Sequence, residues 1–218
     1  MDPETILLKN HAKKLGVKLH QPQLAQFDLY KNELLQWNAK TNLISENSSH
    51  DIITRHFLDS LTAVPFITQP QSLIIDIGCG AGFPGIPIKI ARPELELYLL
   101  EANRKKVSFL KHIIRLLNLS SIQVLHDRVE NIIKHDLWKG KFDILISRAT
   151  FKLAEFILLS DFFLAPGGHF IAMKGPHTEE EMKQFVETNA SQKITQFIQH
   201  DIEADFLDAP RKIIIGKK

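Results

Sequence analysis

The chain has 218 residues, a hydrophobic fraction of 44% and a formal net charge of +2. This composition predicts a globular protein with a large core and argues against a disordered chain. Cys79 is the only cysteine, which excludes an intramolecular disulfide and a multi-cysteine metal site.

The first residues, MDPETILLKN, lack the basic start and long apolar run of a signal peptide, so we expect none. No apolar stretch approaches the roughly 20 residues that a membrane span requires. A single cysteine also fits a reducing compartment. We therefore expect a cytoplasmic protein without a membrane segment.

Apolar residues at helical spacing predict two amino-terminal helices, at residues 4–15 and 22–39. Gly16 is a suitable stop for the first helix, and the first turn of the second tolerates a proline. A third helix is predicted over about residues 49–63. We interpret residues 1–65 as a helical extension that packs on the rest of the chain.

From residue 66 onward, strand-like runs alternate with helical ones. The predicted strands cover residues 73–76, 95–100, 122–125, 142–147, 168–173, about 193–200 and about 211–215. The predicted helices cover residues 85–91, 104–117, about 129–135, 152–164 and 178–189. This alternation predicts one α/β domain over residues 66–218, with a mostly parallel seven-stranded sheet and helices on both faces. Because no clear helix separates the last two strands, one of them is a candidate for an antiparallel strand.

A glycine-rich loop follows the first predicted strand. The stretch DIGCGAGFPG begins at Asp76 and holds four glycines within eight residues. Ligands of parallel α/β sheets bind beyond the carboxyl ends of the strands, and glycine lets a ligand approach the backbone closely. We therefore predict a ligand-binding loop in preference to a tight turn without a ligand.

The spacing within this loop separates two classes of cofactor. A dinucleotide fingerprint matches at Gly78 and Gly80 but requires a third glycine where this chain has Phe83. Pro84 and Pro87 also leave fewer helix N–H groups for a pyrophosphate. Both features weaken the dinucleotide interpretation.

S-adenosylmethionine fits the same loop better. Asp76 suits the cationic end of this cofactor, and Glu101, after the second strand, can accept both ribose hydroxyls. Val129 and Glu130 follow the third strand at the same edge, where a backbone N–H or a carboxylate could meet the adenine. A helix cap explains that third segment almost equally well.

Basic residues mark two further places. Arg148 follows the fourth strand, where methyltransferases keep substrate-facing residues, and an arginine there is hard to explain by packing. Arg104, Lys105 and Lys106 begin a cluster of five basic residues within twelve positions, although a cluster of this size is usually an ordinary solvated helix face.

Seven motifs occur in a distinctive order along the chain. They are WNAKTNLIS (37–45), RHFLDSL (55–61), DIGCGAGFPGIPIKIARPE (76–94), RKKVSFL (104–110), RVE (128–130), FDILISRA (142–149) and MKG (173–175). Together they resemble the bacterial ribosomal RNA small-subunit methyltransferase G family, also called glucose-inhibited division protein B. The resemblance departs from the family at Cys79, Ala81 and Glu101, which are small or like-charge changes.

The resemblance implies a Rossmann-like methyltransferase fold and methylation of guanine N7 in 16S ribosomal RNA with S-adenosylmethionine. Family cofactor positions carry over to Gly78, Phe83, Val129, Glu130 and Arg148. The candidates for holding the guanine or its phosphate are Arg148, Lys174 and Arg128. The candidates for contacting the RNA backbone are Arg104, Lys105 and Lys106.

Other interpretations stay open at this point. Phe83 either packs the loop against the core or lies beside the cofactor, and we favour the cofactor. Helix caps are the favoured roles of Asn42 and Asp59, whereas Arg55 and His56 could face the cleft. The rival functions are a dinucleotide-dependent oxidoreductase, a non-catalytic RNA-binding or assembly factor, and a methyltransferase for proteins or small molecules. We expect a monomer without a metal ion.

Overall fold

A computed structural model describes residues 2–176, 178, 181, 194 and 196–218. The strands are β1 (Leu73–Ile77), β2 (Glu96–Glu101), β3 (Ile122–His126), β4 (Phe142–Arg148), β5 (Leu164–Lys174), β6 (Gln196–Ile202) and β7 (Arg211–Lys217). The helices are α1 (Pro3–Lys14), α2 (Gln21–Thr41), α3 (Ser49–Asp51), α4 (Asp59–Leu61), α5 (Gly85–Ala91), α6 (Arg104–Leu116), α7 (Val129–Ile132) and α8 (Leu153–Phe163). A π-helical segment, Ile52–Leu58, joins α3 to α4.

The strands form one sheet in the order β3-β2-β1-β4-β5-β7-β6. The pairs from β3 to β5 are parallel, and β7 is antiparallel to both of its neighbours. The strand order reverses between β1 and β4, and in open α/β sheets a ligand crevice lies outside the carboxyl ends of the strands at such a point. The predicted α/β class, the parallel sheet and the antiparallel strand near the end are confirmed.

Alternating side chains of the strands supply two hydrophobic cores, one on each face of the sheet. Ile74 contributes to the core that also contains the apolar residues of α1, α2, the π-helical segment, α5 and α6. Ile75, its neighbour on β1, contributes to the opposite core with residues of α7 and α8. The amino-terminal helices therefore share a core with one face of the sheet.

Several element boundaries differ from the sequence prediction. The helix predicted at residues 49–63 contains the π-helical segment, and the strand predicted at 168–173 begins at Leu164. β4 pairs with β5 at Phe142–Leu164 and resumes at Ile144–His169, so the Pro-Gly-Gly stretch between these pairs forms an irregularity within the strand. The helix predicted at residues 178–189 lies almost wholly outside the described residues, as does the start of the strand predicted at 193–200.

Among the residues that the structure describes, no helix combines the length and the apolar character needed to cross a membrane.

Candidate cofactor and substrate site

The glycine loop runs from the end of β1 to the start of α5 at the carboxyl edge of the sheet. Gly78, Gly80 and Gly82 have φ angles of 69°, 61° and 106°, which few other residues adopt without strain. The Gly78 N–H donates to the Leu100 carbonyl at 2.9 Å and so ties the loop to β2. A Cβ on Gly78 would lie 2.5 Å from Cγ2 of Thr150, so bulk is excluded there.

Asp76 organises this loop from beneath. Its side chain is fully buried, and Oδ2 accepts a hydrogen bond from the Gly85 N–H at 2.8 Å, where α5 begins. Burial raises the pKa of Asp76 to about 7. The carboxyl group of Asp76 holds the loop against α5 and lines neither cavity, while its Oδ1 has no hydrogen-bond partner among the described residues. Direct contact between Asp76 and the cofactor stays a prediction.

Glu101, by contrast, reaches the surface of the site. Its Oε2 accepts from the Gly80 N–H at 2.9 Å and its Oε1 accepts from the Asn103 N–H at 2.7 Å. These bonds hold the carboxylate at the end of β2 and orient it between the glycine loop and the start of α6. Each oxygen keeps acceptor capacity for a ligand, because a carboxylate offers about four lone-pair sites.

A cavity of about 390 Å³ opens at this edge of the sheet. Its wall consists of Gly78, Leu100, Glu101, Ala102, Lys106, Asp127, Arg128, Val129, Glu130, Thr150 and Phe151. The structure thus brings Gly78, Glu101, Val129 and Glu130 of the predicted cofactor set to one cavity. Arg128 and Lys106, predicted for the RNA, line the same cavity.

A second cavity of about 360 Å³ adjoins the first, because Thr150 and Phe151 line both. Lys174, predicted to face the substrate, lies in its wall. The Lys174 ammonium group donates to the Phe151 carbonyl at 2.5 Å and lies 2.8 Å from Oε2 of Glu181. The lysine therefore fixes the segment between the two cavities, and it is only 8% exposed.

Arg148 lies behind this edge in a buried network of charged groups. Its Nη1 donates to Oδ2 of Asp59 at 3.0 Å and to the Arg55 carbonyl at 2.9 Å. Its Nη2 is 2.8 Å from Nδ1 of His56, and Nε2 of His56 is 2.8 Å from Oε2 of Glu46. Neither cavity wall includes Arg148, so the structure does not place its guanidinium in contact with either space.

The hydrogen-bond network fixes the state of His56. Because a guanidinium group can only donate, Nδ1 of His56 accepts from Arg148, and the ring proton lies on Nε2, facing Glu46. Burial, with Arg148 next in effect, lowers the pKa of His56 below its ordinary value. His56 is therefore a neutral histidine with a hydrogen-bond partner at each ring nitrogen.

Phe83 packs inside the protein and not against the cavity. It is 4% exposed, and its ring stacks on His56 at 4.6 Å and on Tyr30 at 5.6 Å between centroids. The Arg148 guanidinium carbon lies 5.1 Å from the Phe83 centroid, within cation–π range. The ring therefore packs the loop against the helical layer, which is the first of the two roles considered for Phe83, and cofactor contact by this residue stays a prediction.

The sequence analysis did not predict the roles of two residues in this network. Asp59, predicted as a helix cap, is 1% exposed and binds Arg148 and Arg211 simultaneously. Arg211 begins β7, the antiparallel strand, and nothing in its sequence context marked it. The motif RHFLDSL did contain Asp59, but helical spacing alone does not reveal that its partners come from β4 and β7. Asn42 does cap α2, with a φ of 51°.

Arg104, Lys105 and Lys106 occupy the first turn of α6, beside the first cavity. The Asn103 side chain caps this helix by accepting from the Lys105 N–H at 2.9 Å. Arg104 and Lys105 are exposed, and Lys106 is partly buried in the cavity wall. The three predicted RNA contacts therefore lie together at the mouth of the site.

Cys79 is buried in the glycine loop, and burial raises the pKa of its thiol, so it remains a protonated packing residue. The histidines, cysteine and carboxylates of the described residues form no group of three or more that could hold a metal ion.

Comparison with known proteins identifies relatives along most of the chain. The family model described as rRNA small subunit methyltransferase G matches residues 23–206. Ribosomal RNA small subunit methyltransferase G of Syntrophus aciditrophicus is 45% identical over 178 residues, which cover 81% of this chain and 74% of the relative. The protein of the same name from Desulforamulus reducens is 35% identical over 222 residues, covering 100% of this chain and 91% of the relative.

Solved structures show the same fold at low sequence identity. TYW2 of M. jannaschii, determined in complex with AdoMet, has a TM-score of 0.56 at 18% identity. The match covers 82% of this chain and 78% of the TYW2 chain. A SAM dependent methyltransferase from Aquifex aeolicus has a TM-score of 0.55 at 16% identity. The match covers 77% of this chain and 92% of the Aquifex chain. These similarities support the fold assignment.

Proposed function

Because the chain belongs to the rRNA small subunit methyltransferase G family, we propose that it methylates N7 of one guanine in 16S ribosomal RNA. The methyl donor is S-adenosylmethionine. The observation that carries this proposal is the cavity of about 390 Å³ between the glycine loop and Glu101, with a second cavity beside it. One space suits the cofactor, and its neighbour suits the base.

The residues of the first cavity fit S-adenosylmethionine. Gly78 leaves the cavity open where a side chain would collide with Thr150. Glu101 presents a carboxylate for the ribose hydroxyls, and Leu100 and Val129 supply apolar surface for the adenine. When bound, S-adenosylmethionine supplies an electrophilic methyl group attached to a sulfonium.

Methylation of guanine N7 requires the protein to position the two reactants and does not require it to transfer a proton. Guanine N7 carries no proton and presents a lone pair at the major-groove edge of the base. A general base is therefore unnecessary, and the reaction gains from two reactants held in line. Phe151 lies between the two cavities, where its ring offers a surface on which an unpaired base can stack.

The basic residues have three tasks in this proposal. Lys174 and Arg128 hold the guanine or its phosphate, and Arg148 acts from behind by fixing the edge of the sheet. Arg104, Lys105 and Lys106 contact RNA phosphates at the mouth of the site. Such contacts supply affinity that falls with salt concentration, and they carry little information about sequence.

The two main rivals are less well supported. A dinucleotide-dependent oxidoreductase would need the third glycine that Phe83 replaces. A non-catalytic assembly factor would have no use for a cavity in which the glycine loop and Glu101 are both intact. We further propose that the protein acts as a monomer in the cytoplasm, where its ribosomal substrate resides.

The test is transfer of a tritiated methyl group from S-adenosylmethionine. The substrates are 16S RNA and small ribosomal subunits from cells that lack this protein, followed by nucleoside analysis. We expect label in 7-methylguanosine at one position. Subunits from cells that contain the protein are the matched control, because their target is already methylated and they should accept little label.

Other outcomes have distinct meanings. Label in another nucleoside would reject N7 chemistry but retain an RNA methyltransferase. No transfer to either RNA, despite binding of S-adenosylhomocysteine, would move the substrate to proteins or small molecules. Stabilisation by NAD and not by S-adenosylhomocysteine in a thermal melt would support the oxidoreductase, since only a bound ligand stabilises by mass action.

A further inference from the structure

A cavity of about 530 Å³ lies in the amino-terminal helices, outside the site described above. It forms where the end of α1, the following connection and the start of α2 meet. Its wall consists of Lys9, Lys13, Gly16, Val17, Lys18, Leu19, His20, Gln21 and Leu24. None of these residues has a part in the proposed methyl transfer.

The floor of this cavity is apolar and its rim is cationic. Val17, Leu19 and Leu24 are at most 5% exposed and form the buried part of the wall. Lys9 and Lys13 are exposed and stand one helical turn apart on α1, so they share one face of that helix. The wall contains no aspartate or glutamate, so its field is positive.

The lysines of the rim differ from nearby lysines in lacking an ion pair within the described part of the chain. Lys14 pairs with Asp205 at 2.6 Å, and Lys31 pairs with Glu4 at 2.7 Å. Lys9, Lys13 and Lys18 form no ion pair with any residue in the described part of the chain. Three cations around one hollow, without acidic partners, are complementary to a polyanion.

This surface lies at the opposite edge of the sheet from the cofactor cavity. α5 begins at the glycine loop and ends at Ala91, and Gln23 in the first turn of α2 donates to the Ile90 and Ala91 carbonyls at 2.8 and 3.1 Å. The start of α2 therefore adjoins the far end of α5. A single partner that contacts both places must extend across the molecule.

We propose that this cavity, together with Lys9, Lys13 and Lys18, binds a second segment of the ribosomal RNA substrate, remote from the guanine that is methylated. The lysines contact phosphates, and the apolar floor receives the face of an unpaired base or ribose. The inference rests on the proposed function for the identity of the polyanion. Such a contact would give a large folded RNA a binding advantage over a short one that carries the same target.

The experiment compares the wild-type protein with the triple variant Lys9→Ala/Lys13→Ala/Lys18→Ala. Binding of 16S RNA is measured directly, without cofactor, over a range of salt concentrations. We expect affinity to fall about tenfold or more and the slope of log K against log salt to shrink by about 2 to 3, since each phosphate contact releases counterions. The KM for small subunits should rise, while kcat and S-adenosylhomocysteine affinity stay within about twofold.

The matched control is Lys134→Ala/Lys139→Ala/Lys141→Ala, which removes the same charge from exposed positions before β4. This variant should retain the wild-type slope and KM, and thermal melts should show that both triple variants are folded. A further comparison uses a short RNA hairpin that contains the target guanine. The Lys9→Ala/Lys13→Ala/Lys18→Ala variant and the wild type should methylate this hairpin at the same rate.

Three results would overturn the inference. One is an unchanged salt slope and an unchanged RNA affinity in the Lys9→Ala/Lys13→Ala/Lys18→Ala variant. Another is an equal loss of RNA affinity in the two triple variants. A third is a loss confined to small subunits with naked 16S RNA bound normally, which would assign the surface to a ribosomal protein. If the wild type binds 16S RNA but transfers no methyl group, the proposed function is wrong. The comparison of RNA affinities between the wild type and the variants still shows whether this surface binds RNA.

Discussion

Arg211 grips Asp59 from a position 152 residues away in the chain, through contacts of 2.6 Å from Nε and 2.8 Å from Nη2 to the two carboxylate oxygens. Arg148 shares the same carboxylate at 3.0 Å. Asp59 therefore joins the amino-terminal helices to β4 and to β7 at one buried point. The arrangement sets the position of Arg148 relative to the edge of the sheet that holds the proposed site.

The first prediction concerns this carboxylate. Asp59→Ala should lower the free energy of unfolding by about 3 to 5 kcal/mol, because it leaves two arginines partly buried without their acidic partner. Arg211→Ala should cost less, since Asp59 keeps Arg148. Urea denaturation of both single variants and the double variant gives the coupling energy, and additive losses would contradict a direct interaction.

The second prediction separates substrate positioning from cofactor binding. Arg148→Ala should reduce methyl transfer at least tenfold, while the Kd for S-adenosylhomocysteine changes less, because neither cavity wall includes Arg148. Arg148→Lys is the matched variant, which keeps the charge but loses the planar fork and the stacking on Phe83. Equal losses of transfer and cofactor affinity would show that Arg148 serves the cofactor.

The third prediction tests the acid in the cavity wall. Glu101→Ala should weaken S-adenosylhomocysteine binding by about tenfold or more, since a hydrogen bond to a charged group contributes about 1.5 to 3 kcal/mol. Glu101→Gln keeps an acceptor oxygen for the Gly80 N–H and should lose less. Isothermal titration calorimetry measures both, and wild-type affinity in Glu101→Ala would remove this residue from the cofactor site.

The fourth prediction is a dependence of stability on pH. Burial raises the pKa of Asp76 to about 7, whereas an unfolded aspartate has a pKa of about 3.9. The folded state therefore binds the extra proton between these values, and the contribution of Asp76 to stability falls as the pH rises from about 4 to about 7. Above that window the loss is complete and the contribution is constant.

Asp76→Asn tests this directly, because the amide keeps an acceptor for the Gly85 N–H and does not titrate. The loss of unfolding free energy between pH 5 and pH 8 should be smaller in the variant than in the wild type, by about 2 to 3 kcal/mol at 1.36 kcal/mol per pKa unit. Urea denaturation at the two pH values measures the difference. Parallel pH dependence in both proteins would show that Asp76 is already ionised below pH 5.

The fold was predictable because its signals are local. Alternating strand and helix patterns located the five strands from β1 to β5, and the glycine spacing located the loop. The order of the last two strands was not predictable, because antiparallel insertion of β7 between β5 and β6 is set by long-range pairing. The start of β5 was missed because Pro166 and two following glycines look like a turn, although they form an irregularity within the strand.

The site divides in the same way. Residues that follow strands at the carboxyl edge, such as Glu101 and Val129, reach the cavity because strand ends share an edge. The packing of the Phe83 and Asp76 side chains was not predictable, because position in the loop says nothing about the direction of a side chain. In both cases contacts with the helices set the direction of the side chain. Tyr30 and His56 stack on Phe83, and the first N–H of α5 donates to Asp76.

The contact between Asp59 and Arg211 also sets the order in which the site can be completed. Closing a loop of this length makes the pairing a late event, because distant contacts cost more chain entropy than local ones. A nascent chain that has emerged only through β5 already contains the glycine loop, Glu101 and Arg148. It still lacks Arg211, so the contact that joins Asp59 to β7 forms only when this last strand is added to the sheet.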